Sequence, residues 1–247
     1  MIIGSEIHFV RDIESTNTYA SKLLDNEPSP VEGTIIYTNF QSAGRGQMGN
    51  RWESEDGKNL LLSVIIYPDM ILPEDQFLIS GIVTLGICDF LKNYLPIFTI
   101  KWPNDIYAGN DKIAGVLIEN SINDGKIENS IIGIGLNLNQ TIFKSDAPNP
   151  VSLKMITGKD YNIEKCLKQL AACLDKRYKQ VLAGKEIQVK EDFNSHLYRI
   201  NEWHKFSASG KIFTGRIKGV SDNGHLLVET IDGTTSSFSF KEIIFII

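Results

Sequence analysis

Cysteine is scarce in this chain and carries no pattern: Cys88, Cys166 and Cys173 form an odd set without Cys-x-x-Cys spacing, each among apolar neighbours. That excludes a disulfide framework and a thiolate zinc site, and points to reduced core thiols in a cytoplasmic protein. Histidine is as thin, with His8, His196, His204 and His225 scattered, so no structural metal is expected. No apolar run approaches the ~18 residues of a membrane helix, and Met1 to Glu6 lack the basic segment and apolar stretch of a secretion signal. An excess of one charge is also missing. A formal charge of −5 over 247 residues argues against a general polyanion binder and leaves room for a local cationic pocket. No DNA-binding arm and no membrane association are expected. There is no internal repeat and no low-complexity linker, so the larger amino-terminal part and the β-rich carboxy-terminal part should lie in contact.

What is present is concentrated in one loop, Gly44-Arg45-Gly46-Gln47-Met48-Gly49-Asn50-Arg51-Trp52. Glycines allow turning and close approach to a ligand, arginines offer forked donors to phosphate or carboxylate, and an indole can cover a purine. The spacing Gly44-x-Gly46-x-x-Gly49 also satisfies the dinucleotide-binding pattern, but that motif opens a helix. Here Trp52 to Asn59 reads as loop, which rules out a Rossmann oxidoreductase.

Around that loop the chain reads as strands and helices in alternation. Glu6 to Val10 suits a short strand, and Ser15-Thr16-Asn17 sits at the start of a helix that Ser or Thr can cap. Thr34 to Thr38 and Asn59 to Tyr67 read as strands flanking the glycine loop. Phe77 to Phe90, after Pro73, suits a largely buried helix, with Cys88 as packing. Phe98 to Ile100 is a brief strand, and the segments Lys112 to Glu119 and Ile131 to Asn139 are joined through the hairpin signal Asn123-Asp124-Gly125. The sum is an antiparallel sheet with polar residues at its ends. Beyond Pro148 and Pro150, Ile163, Leu167, Leu170, Leu174, Tyr178 and Val181 mark an amphipathic helix whose stripe is expected on the sheet. From about Lys211 short β segments follow, Ile212 to Ile217, Leu226 to Thr230 and Ser236 to Ile247, separated by turns, in the layout of a small β-barrel.

Lys101-Trp102-Pro103-Asn104-Asp105 is a turn that can hold a cation and a carboxylate in set positions, because proline restricts itself and its predecessor. Alone, such a pair reads as a surface ion pair. Lys112-Ile113-Ala114-Gly115 changes that reading, since small residues beside a lysine let a ligand lie against the backbone. Glu119, on the same strand, is read as structural.

Taken in order, Ser15-Thr16-Asn17, Gln41 with the Gly44 to Trp52 loop, Lys101 to Asp105 with Lys112 to Gly115, and Gly133-Ile134-Gly135-Leu136-Asn137 resemble the biotin protein ligases. The resemblance spans the whole chain and implies an α+β fold. Residues 1–200 would form a class II synthetase-like catalytic domain with a mainly antiparallel sheet flanked by helices, and residues 201–247 an SH3-like barrel. It further implies that ATP and biotin form biotinyl-5′-AMP, with Mg²⁺ carried on the ATP phosphates, and that biotin then passes to a lysine of a biotin carboxyl carrier domain. By the same resemblance Arg45, Lys112 and Asp105 are catalytic. Ser15, Thr16, Asn17, Gln41, Arg45, Gly46, Gln47, Lys112 and Gly115 would bind biotin, and Trp52, Lys101, Asn104, Asp105 and Asn137 the ATP or adenylate. Two departures stand out: Gln47 and Asn50 occupy positions where the family often has arginine. The winged helix that some members carry before the catalytic domain is not expected, because the first strand begins almost at Met1. A monomer or homodimer is expected. Two alternatives stand beside this reading: a lipoate ligase-like acyl-adenylating enzyme, and a non-catalytic module that binds biotin or nucleotide.

Overall fold

The computed structural model describes residues 1–26, 28–145 and 148–246. The chain opens on β1 (Ile7–Phe9), passes through α1 (Thr16–Leu24) and returns as β2 (Ile35–Thr38), which pairs in parallel with β1. A helical crossover is what a parallel pair requires, so this corner departs from the antiparallel expectation. The N-cap of α1 is also a correction. Ser15 takes the extended N-cap backbone but its side chain makes no capping bond, and Gln41 Oε1 instead accepts from the N–H of Thr16 at 2.7 Å.

Every residue of β3 (Leu60–Ile66) is buried, as suits a strand covered on both faces. There follow α2 (Phe77–Leu91), β4 (Thr99–Lys101), β5 (Asp105–Ala108), β6 (Asp111–Asn123) and β7 (Lys126–Leu136). Asp124 and Gly125, both at positive φ, make the tight turn between β6 and β7. The sheet runs β1-β2-β3-β7-β6-β5-β4, antiparallel apart from the first pair.

A short α3 (Leu153–Thr157) precedes α4 (Ile163–Leu182), capped by Asn162 Oδ1, and α5 (Glu186–Ser195). The apolar stripe of α4 meets α2 rather than chiefly the sheet. A Cβ on Gly86 of α2 would lie 2.7 Å from Leu174 Cδ2 and 3.1 Å from Leu174 Cα, so the missing side chain lets the helices cross closely. With the sheet on one side and α4 on the other, α2 is buried almost all round, which explains why it is apolar throughout. Arg177 of α4 ties the layer together by bonding Asp89 on α2 and Asp192 on α5.

The remaining chain forms a second, antiparallel sheet in the order β11-β10-β9-β8-β12 from β8 (Trp203–Ala208), β9 (Lys211–Val220), β10 (Leu226–Thr230), β11 (Thr235–Phe238) and β12 (Ile243–Phe245). It begins one strand earlier than the β-rich pattern indicated, and the segment expected as one last strand is two, separated by a turn with Lys241 at φ +70°. Ile247, the end of that expected strand, lies outside the described residues. Trp102 Nε1 donates to the Gly224 carbonyl at 2.9 Å and the Trp102 ring meets Phe240 edge-on, fastening the second sheet to the first.

Candidate active site

Strand alternation builds the floor of the site. On β6 the residues Gly115, Leu117 and Glu119 share one face, and across the ladder they pair with Gly135, Gly133 and Ile131 of β7. Ile131 packs with Ala20 of α1, so this is the α1 face of the sheet, while Val116, Ile118, Ile132 and Ile134 belong to the core on the other side. Over the floor lies a cavity of about 500 Å³, within the range of small-molecule sites.

Glycine is required at two floor positions by close approach. A Cβ on Gly133 would stand 2.3 Å from Asn17 Oδ1, and one on Gly135 would stand 2.3 Å from Trp52 Cε2. Asn17 and the Trp52 indole therefore rest directly on β7. The sequence pattern contains both glycines, but their role depends on what lies above them.

At one end of the cavity α1 presents a buried polar cluster. Asn17 Oδ1 accepts from Ser63 Oγ at 2.6 Å, and Asn17 Nδ2 donates to Glu119 Oε2 at 2.7 Å. Gln41 Oε1 receives both the N–H and the hydroxyl of Thr16. Ser15, Thr16 and Asn17 are each 3% exposed and all line the cavity with Gln41.

The glycine loop covers that end as a small self-bonded hairpin. Gly46 N–H donates to the Asn50 carbonyl at 2.7 Å, Trp52 N–H to the Gly44 carbonyl at 3.0 Å, and Arg45 bridges to Arg51 across it. Gly46, Gln47, Asn50 and Arg51 line the cavity, and two buried polar atoms of the loop, Gln47 Oε1 and Trp52 Nε1, have no protein partner. Arg45 points its guanidinium at Glu119, with Nη2 to Oε1 at 2.5 Å and Nη1 to Oε2 at 3.3 Å.

The far end is cationic. Lys101 and Asp105 pair across the β4–β5 turn, yet Asp105 binds Lys112, Nζ to Oδ1 at 2.6 Å, and not Lys101. A bulge between Ile106 and Tyr107 brings Lys112 opposite Tyr107 on β5. The Lys112 ammonium also lies 5.7 Å from the centre of the Trp52 ring. Lys101 donates to Tyr107 Oη at 3.0 Å and sits over the Tyr107 and Phe245 rings. Burial pushes the Lys101 pKa down, opposed by Asp105 and reinforced by Lys112 and Arg199. An anion entering here would offset that desolvation.

Two sequence-derived candidates serve the frame. Asn104 lines the cavity, but its Nδ2 donates to the Val116 carbonyl. Asn137 does not line it: its Nδ2 donates to the Val151 carbonyl at 3.0 Å, pinning the end of β7 to the segment before α3, and its Oδ1 is buried without a partner. Conversely, sequence reasoning missed the outer wall, where Phe240, Lys241, Ile243, Ile244 and Phe245 of the second sheet close the cavity. No local signal marks them, since they arrive over a hundred residues away from the other lining residues. Glu119, read from the sequence as structural, meets Arg45 and Asn17 here.

Known proteins are similar to this chain in sequence and fold. The chain is 28% identical over 244 residues to the bifunctional ligase/repressor BirA of Bacillus subtilis, spanning 96% of this chain and 74% of that protein. It is 26% identical over 223 residues to a biotin–[acetyl-CoA-carboxylase] ligase of Paracoccus denitrificans, spanning 87% and 90%. Among solved structures, the biotin protein ligase from Aquifex aeolicus in complex with biotin and ATP superposes with a TM-score of 0.80 at 26% identity, covering 97% of this chain and 98% of that one. The model of the biotin/lipoate A/B protein ligase family matches residues 9–137, just over half of the chain. With the fold, the floor and the paired cations in place, the chain belongs to the biotin/lipoate A/B protein ligase family.

Proposed function

We propose that this protein is an ATP-dependent biotin–protein ligase. The observation that carries the reading is one cavity with a buried hydrogen-bonding cluster at Thr16, Asn17 and Gln41 and a cationic end at Lys101 and Lys112. The first suits the ureido head of biotin, whose polar atoms need partners when buried. The second suits a carboxylate and a triphosphate meeting, where negative charge must be neutralised on both.

In the first step a biotin carboxylate oxygen attacks the α-phosphorus of ATP, the bond to the β-phosphate oxygen breaks and pyrophosphate leaves. Lys112 and Arg45 stabilise the charge on the α-phosphate, and Lys101 that on the departing group. In the second step the amine of an acceptor lysine attacks the acyl carbon, an amide forms, AMP leaves and the amine loses a proton. Asp105 is the carboxylate at hand to take it. The Trp52 indole would cover the adenine, while Ser15, Gly46, Gln47 and Gly115 complete the biotin end. Asn104 and Asn137 shape the nucleotide end from the frame.

The donor set fits a Mg²⁺ carried by the nucleotide. Among the described residues no three His, Cys, Asp or Glu side chains cluster, and Asp105 is the carboxylate that lines the cavity. Mg²⁺ bound mainly through phosphate oxygens and water needs no more than that. It would supply charge neutralisation on the triphosphate.

The acceptor would be a biotin carboxyl carrier domain. We assign residues 1–200 to the catalytic domain and 201–247 to an SH3-like domain that closes the cavity. The unpaired Cys88, Cys166 and Cys173 suit a reducing, cytoplasmic setting.

The test is ATP-dependent biotin transfer to a carrier domain. Replacing Lys112 by Ala should cost about 10²–10³ in rate, the typical effect of one preorganised donor; full activity in that variant would overturn the assignment. Pyrophosphate exchange run with biotin and with lipoate should proceed with biotin only.

A further inference from the structure

We infer that Glu119 is a positioning residue for adenylate formation, holding Arg45 and Asn17 in one geometry at the polar end of the cavity. The inference rests on the biotin ligase reading of the site. Glu119 receives donors from two elements far apart in sequence, the Arg45 guanidinium of the glycine loop and the Asn17 amide of α1. Strand alternation puts it on the cavity face of β6, two places beyond Leu117 and four beyond Gly115.

The chemistry of each contact shows what is being held. Guanidinium has five N–H donors in a rigid fork, and Glu119 engages two of its nitrogens, leaving the remaining donors for a ligand. Asn17 is 3% exposed, and its carboxamide orientation is settled from both ends: the oxygen accepts from Ser63, while the nitrogen donates to Glu119 and to the Leu117 carbonyl. Stability does not explain the arrangement. The Arg45 and Glu119 side chains are 47% and 35% exposed, and a pair so open contributes ~0–1 kcal/mol. What the pair supplies is register between the loop that covers the cavity and the helix that forms its polar end.

Glutamine at this position cannot do the same. Its amide keeps one acceptor oxygen and turns an NH₂ toward donors that are themselves N–H groups. Aspartate keeps the charge but is one methylene shorter, so it reaches only one of the two donors.

The decisive measurement is a double-mutant cycle on biotinyl-5′-AMP formation and release, with purified Glu119→Gln, Glu119→Asp, Arg45→Ala and the Glu119→Gln/Arg45→Ala pair. Glu119→Gln should lower kcat/KM for biotin about tenfold and speed adenylate release by a similar factor, the scale of one hydrogen bond to a charged group. The thermal midpoint should stay at the parent value, and Glu119→Asp should fall between parent and Gln. In the Arg45→Ala background the Gln substitution should lose most of its effect on release. Parental rates in Glu119→Gln, or losses that simply multiply with Arg45→Ala, would overturn the inference. If the parent protein itself forms no biotinyl-5′-AMP, the biotin reading of the site fails instead, so the two failures are distinguishable.

Discussion

Gln47 lines the cavity from the glycine loop with its Oε1 buried and unpartnered. It therefore presents a neutral acceptor to the cavity, where an arginine would add a cation to the lining. Gln47→Arg should slow escape of biotinyl-5′-AMP by about tenfold, since a hydrogen bond to a charged group contributes roughly 1.5–3 kcal/mol. A trapping assay of released intermediate decides it, and equal rates in variant and parent would remove the charge argument. The same scale shows where sequence reading stops. Arg45 and Lys112 were legible as cations near small residues, but Glu119 looked like any strand carboxylate until the fold brought Arg45 and Asn17 to it.

At the scale of elements, α2 and α4 were both legible, one because it is apolar on every side and the other because its stripe repeats at helical spacing. An apolar stripe does not say what will cover it. The partner of α4 was decided at Gly86, where a missing side chain lets Leu174 press onto α2. Leu174 is 1% exposed, so Leu174→Ala should destabilise the protein by ~2–5 kcal/mol, lowering the midpoint of a urea unfolding curve. A shift below about 1 kcal/mol would mean the crossing repacks freely. The β8 strand escaped notice for a related reason: its half-exposed sequence, Trp203 to Ala208, is stabilised by pairing with β9 and β12 rather than by its own pattern.

Across the whole molecule, two carboxylates act as long-range anchors. Asp175 on α4 accepts the N–H groups of Ile2 at 2.6 Å and Ile3 at 3.0 Å, binding the start of the chain to its helical layer. Burial alone would raise its pKa, but bonds from Lys179, Ile2 and Ile3 outweigh it and hold the carboxyl below its ordinary 3.8. Asp192 is likewise held low against burial, chiefly by Arg177. Depressed carboxyl pKa values contribute stability above the unfolded value, and that contribution fades as pH falls through the folded one. Stability should therefore be level near neutrality in this respect and decline below about pH 4. Urea midpoints measured between pH 7 and 3 should show the decline, and it should shrink in Asp175→Asn. An unchanged pH dependence in that variant would show that other groups carry it.

The sequence by itself determined the local elements and the chemical inventory. Apolar periodicity, turn residues and the ordered motifs depend on neighbours within a few residues, which is the range over which propensity and spacing act. Only the tertiary structure decided which side chains meet: that Asp105 takes Lys112 rather than Lys101, that Asn137 braces a strand end, and that β12 and its preceding turn wall the cavity. Those outcomes turn on a bulge in β5, on the register of β6 against β7 and on the docking of the second sheet through Trp102. Each is a contact between segments distant along the chain, selected by burial and hydrogen bonding in three dimensions, and local patterns carry no record of it.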